Sequence, residues 1–128
     1  MNIFSILVPK QMLTYLNCND PLDKAVEFLL SSGYTAVPVI DNEGLYMGIA
    51  SEGDFLRAVM EYGCNNFGSY QVKDITKLDK DGAVLNTVEK EDVYEKILDR
   101  NFLSVTDDRG CFVGIITRKS VLMMLHKD

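Results

Sequence analysis

The chain has 128 residues, of which 47% are hydrophobic and 25% are charged, and this balance is typical of a folded globular protein rather than a disordered one. Its formal net charge is −6 and Arg118-Lys119 is its only adjacent basic pair, which excludes a surface that binds nucleic acid nonspecifically. The 3 cysteines are scattered without C-x-x-C spacing, which argues against a disulfide framework and against a metal site.

Motifs of membrane proteins and of common enzymes are missing from the sequence. No apolar stretch is long enough to cross a bilayer, and the first ten residues lack the basic and apolar regions of a signal peptide. The only histidine is His126, and there is neither a P-loop nor a G-x-G-x-x-G motif. We therefore expect a cytoplasmic protein that contacts no membrane, is not an enzyme and needs no cofactor.

The first half of the chain predicts a helix, a β-hairpin and a second helix. Asp20 is a suitable N-cap, Pro21 suits the first helical position, and apolar residues then recur at helical spacing until Gly33. Two β-rich runs flank a turn, and Gly63 follows a second helical stretch. The predicted ranges are 13–16 for an extended lead-in, 35–40 and 45–50 for the strands, 41–44 for the turn and 52–62 for the second helix.

The second half predicts the same order of elements. In its first helix, Val93, Ile97 and Leu98 are expected to face the core. The lead-in to this helix, around residues 83–87, is difficult to align with that of the first half. The predicted ranges are 92–99 for the helix, 102–106 and 111–116 for the strands, 107–110 for the turn and 118–126 for the last helix.

An internal repeat connects the two halves. Residues 41–51 and 107–117 share an acidic turn, two glycines and a final hydroxyl residue in register, 66 positions apart. We therefore predict one repeat over 1–62, a connecting segment over 63–74 and a second repeat over 75–128. A half of this size buries too little surface alone, so we expect an α+β module of two β-α-β-β-α repeats packed with pseudo-twofold symmetry.

Three short segments resemble the CBS-domain family in its tandem form, the Bateman module. They are Tyr-Thr-Ala-Val-Pro-Val-Ile-Asp at 34–41, Gly-Ile-Ala-Ser-Glu-Gly-Asp at 48–54 and Gly-Ile-Ile-Thr-Arg-Lys-Ser at 114–120. The last two are similar to the family pattern Gly-apolar-apolar-Ser/Thr-x-x-Asp, although Ser120 stands at the aspartate position and Ser104 replaces the proline expected opposite Pro38. The resemblance implies a regulatory module that binds an adenine nucleotide, forms a homodimer through its helices and acts on a partner protein.

The family pattern has a physical basis at the point where a strand leads into a helix. Free N–H groups at a helix N-terminus attract phosphate, and the aspartate can accept hydrogen bonds from both ribose hydroxyls. The resemblance implies two composite clefts, each with a strand from one repeat and a strand–helix junction from the other. The first would combine Thr14, Tyr34, Thr35, Ala36 and Pro38 with Thr117, Arg118, Lys119 and Ser120. The second would combine Phe102 and Leu103 with Ser51 and Asp54.

The two expected clefts differ in charge. The second holds Asp54 and no basic residue, which suits a nucleoside or a monophosphate. The first holds Arg118 and Lys119, and Ser120 removes a carboxylate that would repel a phosphodiester on the ribose. This combination resembles small bacterial CBS proteins that bind cyclic di-AMP. The alternative ligands are AMP, ADP and ATP.

A structural interpretation needs no ligand. Ser51-x-x-Asp54 is also a helix capping box, and a repeated cap would recur in the second half as Thr117-x-x-Ser120. The chain would then be a structural homodimer with empty clefts.

Overall fold

The computed structural model describes residues 3–127, except for the side chains at 80 and 127. In that range the strands and α-helices are β1 (Leu7–Pro9), β2 (Leu16–Asn17), α1 (Leu22–Ser32), β3 (Ala36–Ile40), β4 (Tyr46–Ser51), α2 (Glu52–Tyr62), β5 (Ala83–Leu85), α3 (Lys90–Ile97), β6 (Phe102–Thr106), β7 (Phe112–Thr117) and α4 (Arg118–Lys127). None of these helices is both long and apolar enough to cross a bilayer. The predicted mixture of helices and strands, with two β-α-β-β-α repeats, is confirmed.

One compact unit spans Thr14–Leu78. Its sheet has the order β2-β3-β4, with β2 parallel and β4 antiparallel to β3. Pro21 rather than Asp20 is the N-cap of α1, because the Asp20 carboxylate accepts a hydrogen bond from the Asn17 amide at 3.0 Å instead. Gly33 ends α1 in the left-handed conformation at φ 78°, as the sequence predicted. The buried core includes Leu16, Leu22, Leu29, Val37, Val39, Ala50 and Phe55.

The other unit consists of the residues up to Leu13 together with those from Asp79 onward. Its sheet has the order β1-β7-β6-β5, and β5 is the lead-in strand that was difficult to align in the sequence. The core comprises Ile3, Ile6, Val84, Val93, Ile97, Leu103, Val105, Ile116 and Val121. The prediction that Leu98 faces this core is wrong: α3 ends at Ile97, and Leu98 is 73% exposed.

Strand β1 joins the N-terminal segment to the second repeat. It runs antiparallel to β7, with Leu7 opposite Ile116 and Val8 opposite Ile115. This strand was not predicted from the sequence. The predicted ranges 1–62, 63–74 and 75–128 follow the sequence repeat, whereas the described residues from Ile3 to Leu13 pack with the second repeat.

Candidate functional site

The first strand–helix junction, which we call the Ser51 corner (residues 51–54), links β4 to α2. The Ser51 hydroxyl oxygen accepts a hydrogen bond from the Asp54 amide at 3.2 Å. Oδ2 of Asp54 accepts one from the Ser51 amide at 2.9 Å and another from the Ser51 hydroxyl at 2.8 Å. These reciprocal bonds form the capping box that the Ser51-x-x-Asp54 spacing predicted.

Two basic side chains also reach the Asp54 carboxylate. Arg57 donates to Oδ1 at 2.5 Å, and Nζ of Lys77 lies 3.4 Å from the same oxygen. The expectation that this corner lacks a basic residue is therefore wrong. Burial raises the pKa of Asp54, but hydrogen bonds from Ser51 and Arg57 and the charge of Lys77 outweigh it, so the pKa lies below its ordinary value. We call these three residues, Asp54, Arg57 and Lys77, the Asp54 cluster.

Lys77 reaches Asp54 because its backbone is paired with β4. Ile49 and Lys77 exchange two backbone hydrogen bonds, each 3.1 Å long. Gly48 makes room for this approach, since a Cβ atom there would lie only 2.8 Å from the carbonyl carbon of Lys77. The segment around Lys77 thus covers the edge of β4, as β1 covers the edge of β7.

The second junction, the Thr117 corner (residues 117–120), links β7 to α4. The Thr117 hydroxyl accepts a hydrogen bond from the Ser120 amide at 3.0 Å, and the Ser120 hydroxyl accepts one from the Thr117 amide at 3.1 Å. The Ser120 hydroxyl in turn donates to the Thr117 carbonyl at 2.9 Å. This corner is therefore capped by two neutral hydroxyl groups where the Ser51 corner uses a carboxylate.

Arg118 is held by the end of helix α3. Its Nε donates to the Ile97 carbonyl at 3.1 Å, and a terminal guanidinium nitrogen donates to the Leu98 carbonyl at 2.6 Å. A cation at a helix C-terminus satisfies carbonyl groups that lack partners within the helix, so Arg118 stabilises α3. Lys119 is exposed, and within the described residues no ion pair involves it.

Several N–H groups at the two helix starts are already used. The Glu52 amide donates to the Thr35 carbonyl at 2.8 Å, and the Arg118 amide donates to the Asn101 carbonyl at 3.3 Å. The hydroxyl of each corner takes a further amide, that of Asp54 or Ser120. The first turns therefore offer fewer donors to a phosphate than the sequence analysis expected.

The predicted strand residues lie beside the corner of their own unit. Ala36 is opposite Ser51, and Phe102 is opposite Thr117. Leu103 is fully buried in the core of its unit, and this burial explains an apolar residue at the position without any ligand contact. Of the remaining residues, Tyr34 and Thr35 are exposed, Thr14 is half-buried and Pro38 is buried. The joining of residues from both repeats into one cleft stays a prediction.

Comparisons with known proteins identify the family. The family model for the CBS domain matches residues 8–61. A solved CBS domain protein from Streptococcus pneumoniae TIGR4 is 30% identical, with a TM-score of 0.87, and the match covers 98% of this chain and 87% of that one. The chain belongs to the CBS-domain family.

Two other solved CBS relatives contain nucleotides. CbpB in complex with c-di-AMP is 25% identical at a TM-score of 0.92, with 99% of this chain and 85% of that chain covered. CBSX2 in complex with AMP is 26% identical at a TM-score of 0.77, with coverages of 95% and 93%. A search of curated proteins by sequence found no match.

Two residues of this CBS site, Arg57 and Lys77, were not predicted from the sequence. Arg57 stands three residues after Asp54 on a predicted helix, and this spacing is a usable signal for an ion pair. Lys77 lies 23 positions after Asp54, and only the backbone pairing with Ile49 shows that it is near.

Ser104 stands in β6 of the second CBS repeat and is fully buried, and its hydroxyl has no hydrogen-bond partner in the structure. A buried hydroxyl without a partner destabilises the fold, so Ser104→Ala is expected to raise the free energy of unfolding by about 1 kcal/mol. Urea denaturation measures the change. Ser51→Ala is the control: it removes a used cap and should lower stability by about 1 kcal/mol. A loss of stability in Ser104→Ala would contradict the prediction.

Proposed function

We propose that the protein is a non-catalytic regulatory module that binds an adenine nucleotide, with cyclic di-AMP as the first candidate. The observation that carries this proposal is the near full-length similarity to CbpB, which has been solved with c-di-AMP. The similarity to CBSX2 with AMP supports the wider class of adenine nucleotides. The module would act in the cytoplasm through a partner protein, whose identity we leave open.

The Thr117 corner favours a cyclic dinucleotide over a mononucleotide. It holds no carboxylate, because Ser120 occupies the position equivalent to Asp54. A carboxylate there would repel the phosphodiester attached to the ribose, whereas two hydroxyl groups do not. Thr117, Ser120 and residues of a β-strand from the other repeat would form the binding cleft that the family resemblance implies.

Lys119 is the better candidate for the phosphate contact at this corner. Arg118 already donates two hydrogen bonds to carbonyl groups at the end of α3, and a phosphate would have to replace them. Lys119 is exposed and needs no such exchange. Arg118 would then contribute positive electrostatic potential and hold the end of α3 in place. Lys119 would make the direct contact with the phosphate.

The helices leave apolar side chains that support the proposed homodimer. In the Thr14–Leu78 unit, α1 exposes Leu30 to 70% and α2 exposes Met60 to 78%. In the other unit, a groove of about 380 Å³ between α3 and α4 is lined by Tyr94, Ile97, Leu98, Arg118, Val121, Leu122 and Leu125. Apolar side chains on helix faces in such numbers are typical of surfaces that a second protein surface covers.

Calorimetric titration of c-di-AMP and of AMP into separate samples tests the proposal. We expect c-di-AMP to bind, and Ser120→Asp to weaken its binding by roughly tenfold or more because the new carboxylate lies close to the phosphodiester. Ser120→Ala is the matched control, since it removes the hydroxyl without adding charge. Tight AMP binding with no heat from c-di-AMP would contradict the choice of ligand.

The second candidate function is that of a structural homodimer with empty clefts. It is favoured by the two corners, whose capping groups are satisfied without any ligand. A ligand at 100 times its dissociation constant should stabilise the fold by about 2.7 kcal/mol and raise the melting temperature. A melting temperature that no adenine nucleotide changes would favour this second function.

A further inference from the structure

The Asp54 carboxylate has little hydrogen-bonding capacity to spare. A carboxylate offers about four acceptor positions on its two oxygens. The Ser51 amide and hydroxyl donate to Oδ2 and Arg57 donates to Oδ1, while Nζ of Lys77 lies 3.4 Å from Oδ1 as an ion pair. The side chain is also buried, with only 4% of its surface exposed. At most one acceptor position is left, so two ribose hydroxyls cannot both be accepted by Asp54 while these three hydrogen bonds are in place.

The second repeat shows that both cations accompany the carboxylate. With the repeat offset of 66 residues, Ser120 takes the place of Asp54 and Met123 takes the place of Arg57. Val8 pairs with β7 where Lys77 pairs with β4 in the first repeat. Where the carboxylate is replaced by a hydroxyl, both cations are replaced by apolar residues. This correspondence indicates that Arg57 and Lys77 are present to interact with Asp54 rather than to stabilise the fold as a whole.

We infer that the Asp54 cluster is an autoinhibitory contact that discriminates against ligands with a free ribose diol. Adenosine or AMP can donate both ribose hydroxyls to Asp54 only by displacing a present donor, and on Oδ1 that donor is Arg57, with the Lys77 ammonium beside it. Both cationic side chains are mostly exposed, at 61% and 66%, so they can move into solvent without leaving a cavity. A cyclic dinucleotide, whose ribose 3′ oxygens are esterified, presents no diol and does not compete for Asp54. This inference rests on the proposed nucleotide binding.

The test removes each cation while keeping the length of its side chain. Lys77→Met and Arg57→Met are titrated with adenosine, which has no phosphate that the cations could attract. Arg57→Met removes a charged hydrogen bond from Oδ1 and Lys77→Met removes the ammonium group beside it, so adenosine affinity is expected to rise about tenfold or more in each variant. Affinity for c-di-AMP is expected to stay within about twofold, since the ligand that lacks a diol gains no new acceptor. Lys73→Met, on an exposed lysine of the same segment, is the matched control.

A second measurement does not depend on any ligand. Carboxyl 13C NMR should show that the pKa of Asp54 rises in Lys77→Met and in Arg57→Met but not in Lys73→Met. An unchanged Asp54 titration, or equal adenosine affinity in all variants while c-di-AMP still binds, would overturn the inference and leave the proposed function standing. Absence of binding by every nucleotide in every variant would overturn both.

Discussion

Gly114→Ala is expected to lower the free energy of unfolding by about 2–4 kcal/mol, because it separates β1 from β7. A Cβ atom at this position would lie 3.0 Å from Cδ1 of Leu7 and 3.1 Å from Cα of Pro9, and still closer to the Val8 carbonyl oxygen. Most of these atoms belong to backbone, which cannot rotate away as a side-chain tip can. Gly114 also has a φ of 158°, at the margin of the region that favours glycine.

The loss extends beyond the strand because β1 is continuous with buried residues. Ile3 and Ile6 are each 5% exposed and belong to the core that Leu103 and Ile116 also form. Burial of one such side chain contributes roughly 1.5–3 kcal/mol. Displacement of β1 therefore weakens the core of the whole second repeat as well as the edge of its sheet.

Equilibrium urea denaturation of wild type and variant measures this effect. The matched control is Gly68→Ala, whose new Cβ would meet the Asp23 carboxylate at 2.9 Å, the free end of a flexible side chain. The control should stay within about 0.5 kcal/mol of wild type. Equal losses in both variants would show that the backbone contact with β1 is not the cause.

The repeat made most of this fold predictable from the sequence. Glycines at 48 and 114 were recognised as equivalent, and the hairpins and the helix over 52–62 followed from local patterns. The reason for these glycines was not predictable, because each accommodates a segment that is distant in sequence. Strand β1 escaped prediction for the same reason: it has three residues and pairs with a strand more than 100 positions away.

The positions of the two corners along the chain were predictable from the sequence, whereas the side-chain contacts at these corners were less predictable. The Ser51 and Thr117 corners were found because hydroxyl residues recur in register after Gly-Ile. Arg118 was predicted to supply positive charge to the first cleft, in the first turn of a helix, where a cation opposes the helix dipole. Its actual partners, the carbonyls of Ile97 and Leu98, are a tertiary contact that no pattern within α4 reveals.

Asp54→Asn is expected to lower the free energy of unfolding by about 2–3 kcal/mol at pH 7. The variant loses the charge that attracts Arg57 and Lys77. The NH2 group of its amide is itself a hydrogen-bond donor, and it can face the donor groups that the carboxylate accepts from. The figure lies below that for a fully buried ion pair because both cations can return to water. Asp108→Asn, on an exposed turn residue, is the control and should change stability by less than about 0.5 kcal/mol.

The effect of Asp54→Asn should fade in acid. The pKa of Asp54 is lower in the folded protein than in the unfolded chain, where an aspartate titrates at about 3.8. As the pH falls below that value the unfolded chain binds the proton first, so the stabilisation by Asp54 is complete above it and is lost as the pH falls through the folded pKa. Urea titrations from pH 7 to pH 3 should therefore show wild type and Asp54→Asn converging.

The size of this loss also separates two roles of the carboxylate. A group retained for a ligand alone is commonly neutral or stabilising when it is removed from the free protein. A loss of about 2 kcal/mol or more at pH 7 would assign Asp54 a structural role in the unliganded module, as its three internal hydrogen bonds and its ion pair with Lys77 indicate. A neutral or stabilising Asp54→Asn substitution would contradict that role and would point to a carboxylate kept for the ribose.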